Sequence, residues 1–288
     1  MKHVFVTALA LILGGVSGSA QSSELRFEVA SVKPYAEDGT SGRGGMCAGP
    51  DTRVTVTRFG ANGLSNESGQ SPVSPGSCRF RRANARALIS AAYGVRRIPG
   101  GQPIVGGPSW LDTDLFDFDA KADRARPQAE LMQMLQRLLA ERFGLRVHPE
   151  TRDVDGFALT DAPRGARLTV SQSFAGGTVS GVGTITTQGA VLDRLAQALE
   201  FPLGTTVLNE TGLTGVYAFT LRWTPGDGER PLMPGAPPDV QARLSREIDP
   251  NGPSLFTALD EQLGLRLQPR KVPLEFLVID AVQRPTAN

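Results

Sequence analysis

Leu135, Leu139 and Phe143 recur every four residues, and so do Leu255, Leu259 and Leu263. That spacing marks one face of a helix. A glycine follows each run directly, Gly144 in one case and Gly264 in the other. The apolar pattern then switches to a period of two, with Phe157 and Leu159 in the first copy and Leu277 and Ile279 in the second. FGLRVHPETRDVDGFAL (143–159) thus lies over LGLRLQPRKVPLEFLVI (263–279) at an offset of 120. Both copies predict a helix, a glycine C-cap, a strand, a turn and a second strand.

A weaker echo precedes each copy. RANARALISAAYGV (82–95) lies over TQGAVLDRLAQAL (187–199) at an offset of 104, with Leu88 on Leu192 and Ala92 on Ala196. Each of these helices leads to an aromatic strand, FDFDAKA (116–122) or YAFTLRW (217–223). The fold class expected is α+β in two tandem halves. Each half carries two helix–strand–strand units, with helices packed on small, mostly antiparallel sheets. The first half, 21–163, adds the strand FEVASVKP and a Gly/Ser-rich loop; 164–184 reads as a linker, and 185–288 as the second half. Residues 36–77 hold one further strand, VTVTRF, and 225–253 are Pro/Gly-rich with a short helix expected at 240–248.

The first twenty residues stand apart. MKHVFVTALALILGGVSGSA has a short positive start, an uncharged apolar run and small residues at Gly18 and Ala20, the pattern of a secretory signal cut after Ala20. An uncleaved N-terminal anchor is the other reading, although the run is short for a membrane span. The expected location is therefore the periplasm or the cell exterior. Without this segment the chain balances 29 basic against 29 acidic residues. A nucleic-acid partner would ask for a basic excess or a basic stripe, so none is expected. Cys47 and Cys78, 31 positions apart around a Gly/Ser/Pro-rich stretch, read in an oxidising compartment as a disulfide. Closing that loop would stabilise the fold by about 3–4 kcal/mol.

Candidate chemistry is thin. His148 is the one histidine beyond His3, and Gln268 occupies its place in the second copy. A general base or metal ligand is one reading; a polar strand residue facing solvent, opposite Leu145 and Val147 and held by no acid, is the one the echo favours. DTDLFDFD gathers Asp112, Asp114, Asp117 and Asp119, but its spacing is not that of a helix–loop–helix calcium site. As a strand, FDFD turns Phe116 and Phe118 inward and both acids outward. A secreted hydrolase with paired carboxylates would draw on Asp112, Asp114, Asp117 or Glu150. The glycine-rich stretches match no phosphate loop, and no nucleophile elbow or HExxH helix is present. Trp110 and Trp223 read as core or hairpin residues. No catalytic residue, cofactor or metal ligand is therefore assigned, and the expected role is a non-catalytic binding or sensing module. Its partner would be an envelope protein or a small ligand.

RFEVASVKP, VGGPSWLDTDLFDFDAKA, LMQMLQRLLAERFGLRVHPETR, ETGLTGVYAFTLRWTP and SLFTALDEQLGLRLQPRKVPLEFLVIDAV, in this order, resemble a large family of exported proteins of unknown function, expanded in acidobacteria. In some of its members a similar domain is fused to a membrane zinc peptidase of the beta-lactam-sensor type. The resemblance spans residues from about 25 to 286 and implies export, but no catalytic residues. The zinc-peptidase motif is absent from this chain. The single helix–glycine–strand unit also resembles the short N-terminal modules of secretins and TonB-dependent receptors, which bind partner proteins.

Overall fold

The computed structural model describes residues 25–36, 44–60, 63–99, 103–172, 178–226 and 249–285. The expected signal segment and the short helix at 240–248 lie outside these residues. The architecture is α+β, with small, mostly antiparallel sheets and few helices.

The first sheet contains β1 (Val29–Pro34), β2 (Gly44–Ala48), β5 (Ser77–Asn84) and β7 (Leu115–Lys121), in the order β1-β7-β5-β2. A separate hairpin pairs β3 (Arg53–Gly60) with β4 (Gly63–Gln70). Phe116 and Phe118 of β7 point inward, as alternation predicts, and both are buried. Phe118 meets Phe80 edge-on at 5.8 Å, and Phe116 meets Phe143 edge-on at 5.7 Å. The helices α1 (Ala85–Ala92), α2 (Trp110–Thr113) and α3 (Gln128–Phe143) complete this core. The second sheet runs β10 (Val179–Gly181), β11 (Thr184–Ala190), β13 (Tyr217–Arg222), β9 (Thr169–Val170). It packs with α4 (Leu192–Leu203) and α5 (Leu255–Ala258), which continues as a π-helical turn (Leu259–Leu263). The stretch 164–184, expected to be a linker, thus supplies β9 and β10 to this sheet. Trp110 and Trp223 are buried, one in each core.

Between the two cores lies a third sheet, β12-β8-β14-β6. Its centre is the antiparallel pair β8 (Arg146–Asp161) and β14 (Leu265–Ala281), in register from Leu265↔Asp161 to Ile279↔Val147, with a one-residue shift before Ala281↔Arg146. β6 (Ile104–Val105) and β12 (Thr206–Asn209) flank the pair in parallel. The strands start as the sequence predicts: Gly144 and Gly264 end their helices in the left-handed conformation, with φ of 56° and 65°. Leu145 and Leu265 then turn inward, the first into core one and the second into core two. Further along, the strands exchange cores, since Leu159 packs in core two and Ile279 in core one.

The turn expected in the middle of each copy is absent; each copy is one continuous strand. Prolines and charges in ETRDVDG and PRKVP imitate a turn. The pairing shows why the strand tolerates them. Leu277 directs its N–H outward to Pro103 O at 2.8 Å, and Pro273 and Pro269 lie an even number of residues back. Their missing donors therefore face away from β8, along an edge where no described strand pairs with them.

Cys47 and Cys78 stand opposite each other on β2 and β5, bonded, with Cα atoms 3.9 Å apart. Both are buried within core one.

Candidate functional site

β5 departs from regular pairing at its end. Phe80 faces Phe118 and Ala83 faces Phe116, so Arg81 and Arg82 together oppose Asp117. This is a β-bulge. Arg82 carries it in the left-handed region at φ 49°, the only described residue other than glycine with positive φ. Such a conformation costs a side-chain-bearing residue about 1–2 kcal/mol. The Arg82 backbone N–H donates to Asp117 Oδ1 at 3.0 Å, which fixes the bulge. The Arg82 guanidinium lies over the Tyr35 ring, 5.0 Å from its centre, and its buried Nε has no hydrogen-bond partner. Arg81 turns the other way, donating from Nη2 to Asp119 at 3.0 Å.

The chain passes from the bulge into α1, where Asn84 Oδ1 caps the helix by accepting from Ala87 N at 2.8 Å. Arg86 is fully engaged: it donates to Asp112 Oδ1 (2.7 Å), Ile104 O (3.0 Å) and Gly106 O (3.3 Å). At the far end of α1, Val95 folds back, its N–H bonded to Ser90 O and its carbonyl accepting from Ser90 Oγ, both at 2.9 Å. Arg97, just beyond, is exposed and makes no hydrogen bond or ion pair with the described residues.

Bulge, helix and loop enclose an open cleft of about 990 Å³. Ala87, Ala91 and Val95 form its apolar wall over the buried Phe80 and Ala83; Arg82, Arg86 and Arg97 are its cations and Asp112 its carboxylate. Gly94 and Val95 also line a second, largely apolar cavity of about 370 Å³ with Tyr93, Ile98, Val147 and Leu277. Burial there pushes the Tyr93 hydroxyl up from its ordinary value.

The acids expected to serve a hydrolase are each engaged elsewhere. Asp112 pairs with Arg86, Asp114 with Arg284 (2.9 Å), and Asp117 holds the bulge. Glu150 takes two hydrogen bonds of 2.8 Å from Arg152, which hold its carboxyl below the usual carboxylate range. Among the described residues no group of three or more His, Cys, Asp or Glu could hold a metal ion.

His148 is exposed and stands opposite Val278 on the neighbouring strand. An acid does hold it, contrary to expectation: Nδ1 lies 2.9 Å from Asp280 Oδ1. The cause is cross-strand geometry, because Asp280 is the diagonal neighbour of His148 on the same face. Neither residue lines the cleft or the second cavity.

Over residues 86–282 the chain matches the family described as Protein of unknown function (DUF3738). The chain belongs to this family. No curated protein and no solved structure matched it. The DUF3738 stretch contains the α1 wall of the cleft, Arg97 and both long central strands, whereas the bulge with Arg82 precedes it. Among the described residues no helix is long and apolar enough to cross a membrane.

Arg82 and Arg97 escape a motif search because isolated arginines carry no spacing signature. One signal was present. In CRFRRAN, Arg79 and Arg81 keep the period of a strand and Arg82 breaks it, as a bulge does.

Proposed function

We propose that this DUF3738 protein is exported and acts in the periplasm or at the cell exterior as a non-catalytic binding protein, with the cleft beside α1 as its ligand site. One observation carries the reading: the candidate acids are committed to arginines or to the bulge, whereas Arg82 and Arg97 line a large cleft uncommitted to any acid among the described residues. A hydrolase needs a carboxyl able to hold a proton near neutral pH, and Arg152 holds that of Glu150 below the usual carboxylate range. A binding site needs donors left open, and these two side chains supply them. Export rests on the residues at the start of the chain.

The same reading takes the chain to be a tandem duplication with one functional half. In support, the order β1-β7-β5-β2 maps onto β9-β13-β11-β10. The bulge between Phe80 and Ala83 has a counterpart between Thr187 and Ala190. Ala83 faces Phe116 as Ala190 faces Tyr217, which sets Leu88 of α1 level with Leu195 of α4 rather than with Leu192. Gly189 then stands where the first half has Arg82.

Two measurements test the proposal. Native cells are fractionated, and the chain from residue 21 is screened by thermal shift against small anionic molecules. The expected results are recovery outside the cytoplasm and at least one acid that raises Tm in the wild type but not in Arg82→Gly. Recovery in the cytoplasm, or turnover of a chromogenic ester or glycoside that is lost in Asp112→Asn, would overturn it.

A further inference from the structure

We propose that the ligand of the cleft is an amphiphilic monocarboxylate of medium chain length, its carboxylate held by Arg82 at the bulge and its apolar body laid along α1 toward Arg97. This deepens the binding-protein reading and rests on it.

The head group follows from the charges. Two guanidinium groups line the cleft without an acidic partner among the described residues, and guanidinium matches a carboxylate in shape and charge. Arg82 is partly desolvated, since Nε is buried under the protein and unbonded. In such surroundings a charge-assisted hydrogen bond gains strength. Asp112 shares the lining, and Asp117 sits under the bulge. Three arginines in the lining against Asp112 and the Asp117 beneath the bulge leave one net positive charge, which a single carboxylate balances and a doubly charged phosphate exceeds.

The body follows from the wall. Ala87, Ala91 and Val95 present carbon to the cleft on the side of α1. The polar side chains beside them, Asn84, Ser90 and Arg86, are already bonded within the protein. Anything lying along this wall is therefore recognised by apolar contact. Gly94 and Val95 border the second cavity, whose lining is mostly apolar, so a longer chain has further apolar surface to cover.

The backbone of Arg82 gives the third argument. A left-handed arginine is retained at a cost to stability, whereas Gly189, its register counterpart in the second half, does not adopt a positive φ. Strain held this way by a neighbouring carboxylate is a mark of a functional position.

The test is calorimetric titration of the folded chain with acetate, octanoate, decanoate, 1-octanol and inorganic phosphate. Saturable binding of octanoate at one site is expected, with decanoate about tenfold tighter from its two extra methylenes. Acetate, phosphate and octanol should bind at least tenfold more weakly than octanoate. Arg82→Gly should lower octanoate affinity at least tenfold while Tm stays within a few degrees, because relief of φ offsets the lost contact with Tyr35. Arg97→Met should also lower it, and Arg152→Ala, on an exposed strand elsewhere, should leave it unchanged. Acetate or phosphate binding as tightly as octanoate would make the cleft a general anion site and overturn the proposal. So would octanol binding equally well, or an Arg82→Gly chain that binds as the wild type does. Flat titrations with both fatty acids overturn the ligand class alone, and the binding-protein reading then stands or falls with the wider screen.

Discussion

Nδ1 of His148 lies 2.9 Å from Oδ1 and 3.0 Å from Oδ2 of Asp280, across the pair of long central strands. Histidine oriented by a carboxylate is half of a catalytic triad, yet the side chains are 52% and 42% exposed, and neither lines the cleft. Water screens such a pair, and exposed ion pairs contribute about 0–1 kcal/mol. His148→Gln, which installs the residue found at position 268, should change unfolding free energy by no more than about 0.5–1 kcal/mol. Urea denaturation at neutral pH measures this. A loss above about 2 kcal/mol would mean the dyad is structural.

Gly144 and Gly264 do the same conformational work in different surroundings. A Cβ on Gly144 would meet the Gln283 side chain at 3.2 Å, and that side chain can swing away. A Cβ on Gly264 would stand 2.1 Å from the Gly165 carbonyl oxygen and 3.0 Å from Ala166 Cα, both backbone. Gly144→Ala should cost about 1–2 kcal/mol, the left-handed penalty alone, and Gly264→Ala at least roughly twice that. Equal losses in denaturant melts would show that the loop at 165–166 gives way freely.

The helix-to-strand copies were legible because the signals there are local: a four-residue apolar spacing, then glycine, then alternation. Length was not. Whether Asp153 and Pro273 lie in a turn or in the middle of a strand depends on a partner far away in the chain, and here each strand is the partner of the other. The short strands β9 and β10 hid in a Gly/Ser/Thr stretch for a related reason. Edge strands of two or three residues bury little, so composition does not mark them. The three-residue error in the offset of α1 over α4 is almost one helical turn, which apolar periodicity cannot detect. The cleft was less legible still, since it joins single arginines through a backbone angle.

Arg96 and Glu200 connect the loop after α1 to α4. Glu200 is 3% exposed, accepts from both terminal nitrogens of Arg96 (3.0 Å for Nη2), and accepts from Val207 N at 3.3 Å. The hydrogen bond to Glu200 raises the Arg96 pKa from its ordinary value, although burial works against this. Arg96→Ala strands a buried carboxylate and should destabilise by about 1–3 kcal/mol, below the figure for a fully buried pair because Arg96 is half exposed. Arg96→Ala combined with Glu200→Gln should recover part of the loss. A double variant less stable than Arg96→Ala would show that Glu200 is held mainly by other contacts.

The Cys47–Cys78 bond closes a Gly/Ser/Pro-rich stretch, yet both cysteines are 1% exposed within core one. Reduction should lower stability by about 3–4 kcal/mol and Tm by roughly 10 °C. The fold should survive, since buried thiols still pack as small hydrophobes. The bond should resist mild reductant until the chain is partly unfolded. Thiol titration with and without urea measures both effects, and rapid reduction of the native chain at low reductant would contradict the burial.

Acid should weaken the first sheet in a defined window. Burial pulls the Asp119 carboxyl upward, but hydrogen bonds and charge from Arg81 and Arg79 outweigh it and hold the group below its ordinary value. Arg126 lowers Asp123 in the same direction, chiefly through a hydrogen bond, and Arg152 does so for Glu150. A carboxyl whose folded pKa lies below its unfolded value contributes stability above the unfolded value, near pH 4, and loses it as pH falls through the folded one. Urea midpoints should therefore be nearly flat from about pH 7 to 5 and drop below about pH 4. Asp119→Asn removes one of these groups, so its midpoint should lie below that of the wild type at neutral pH and converge on it in acid. Two curves that stay parallel down to pH 3 would show that the Arg81–Asp119–Arg79 cluster is screened away in solution.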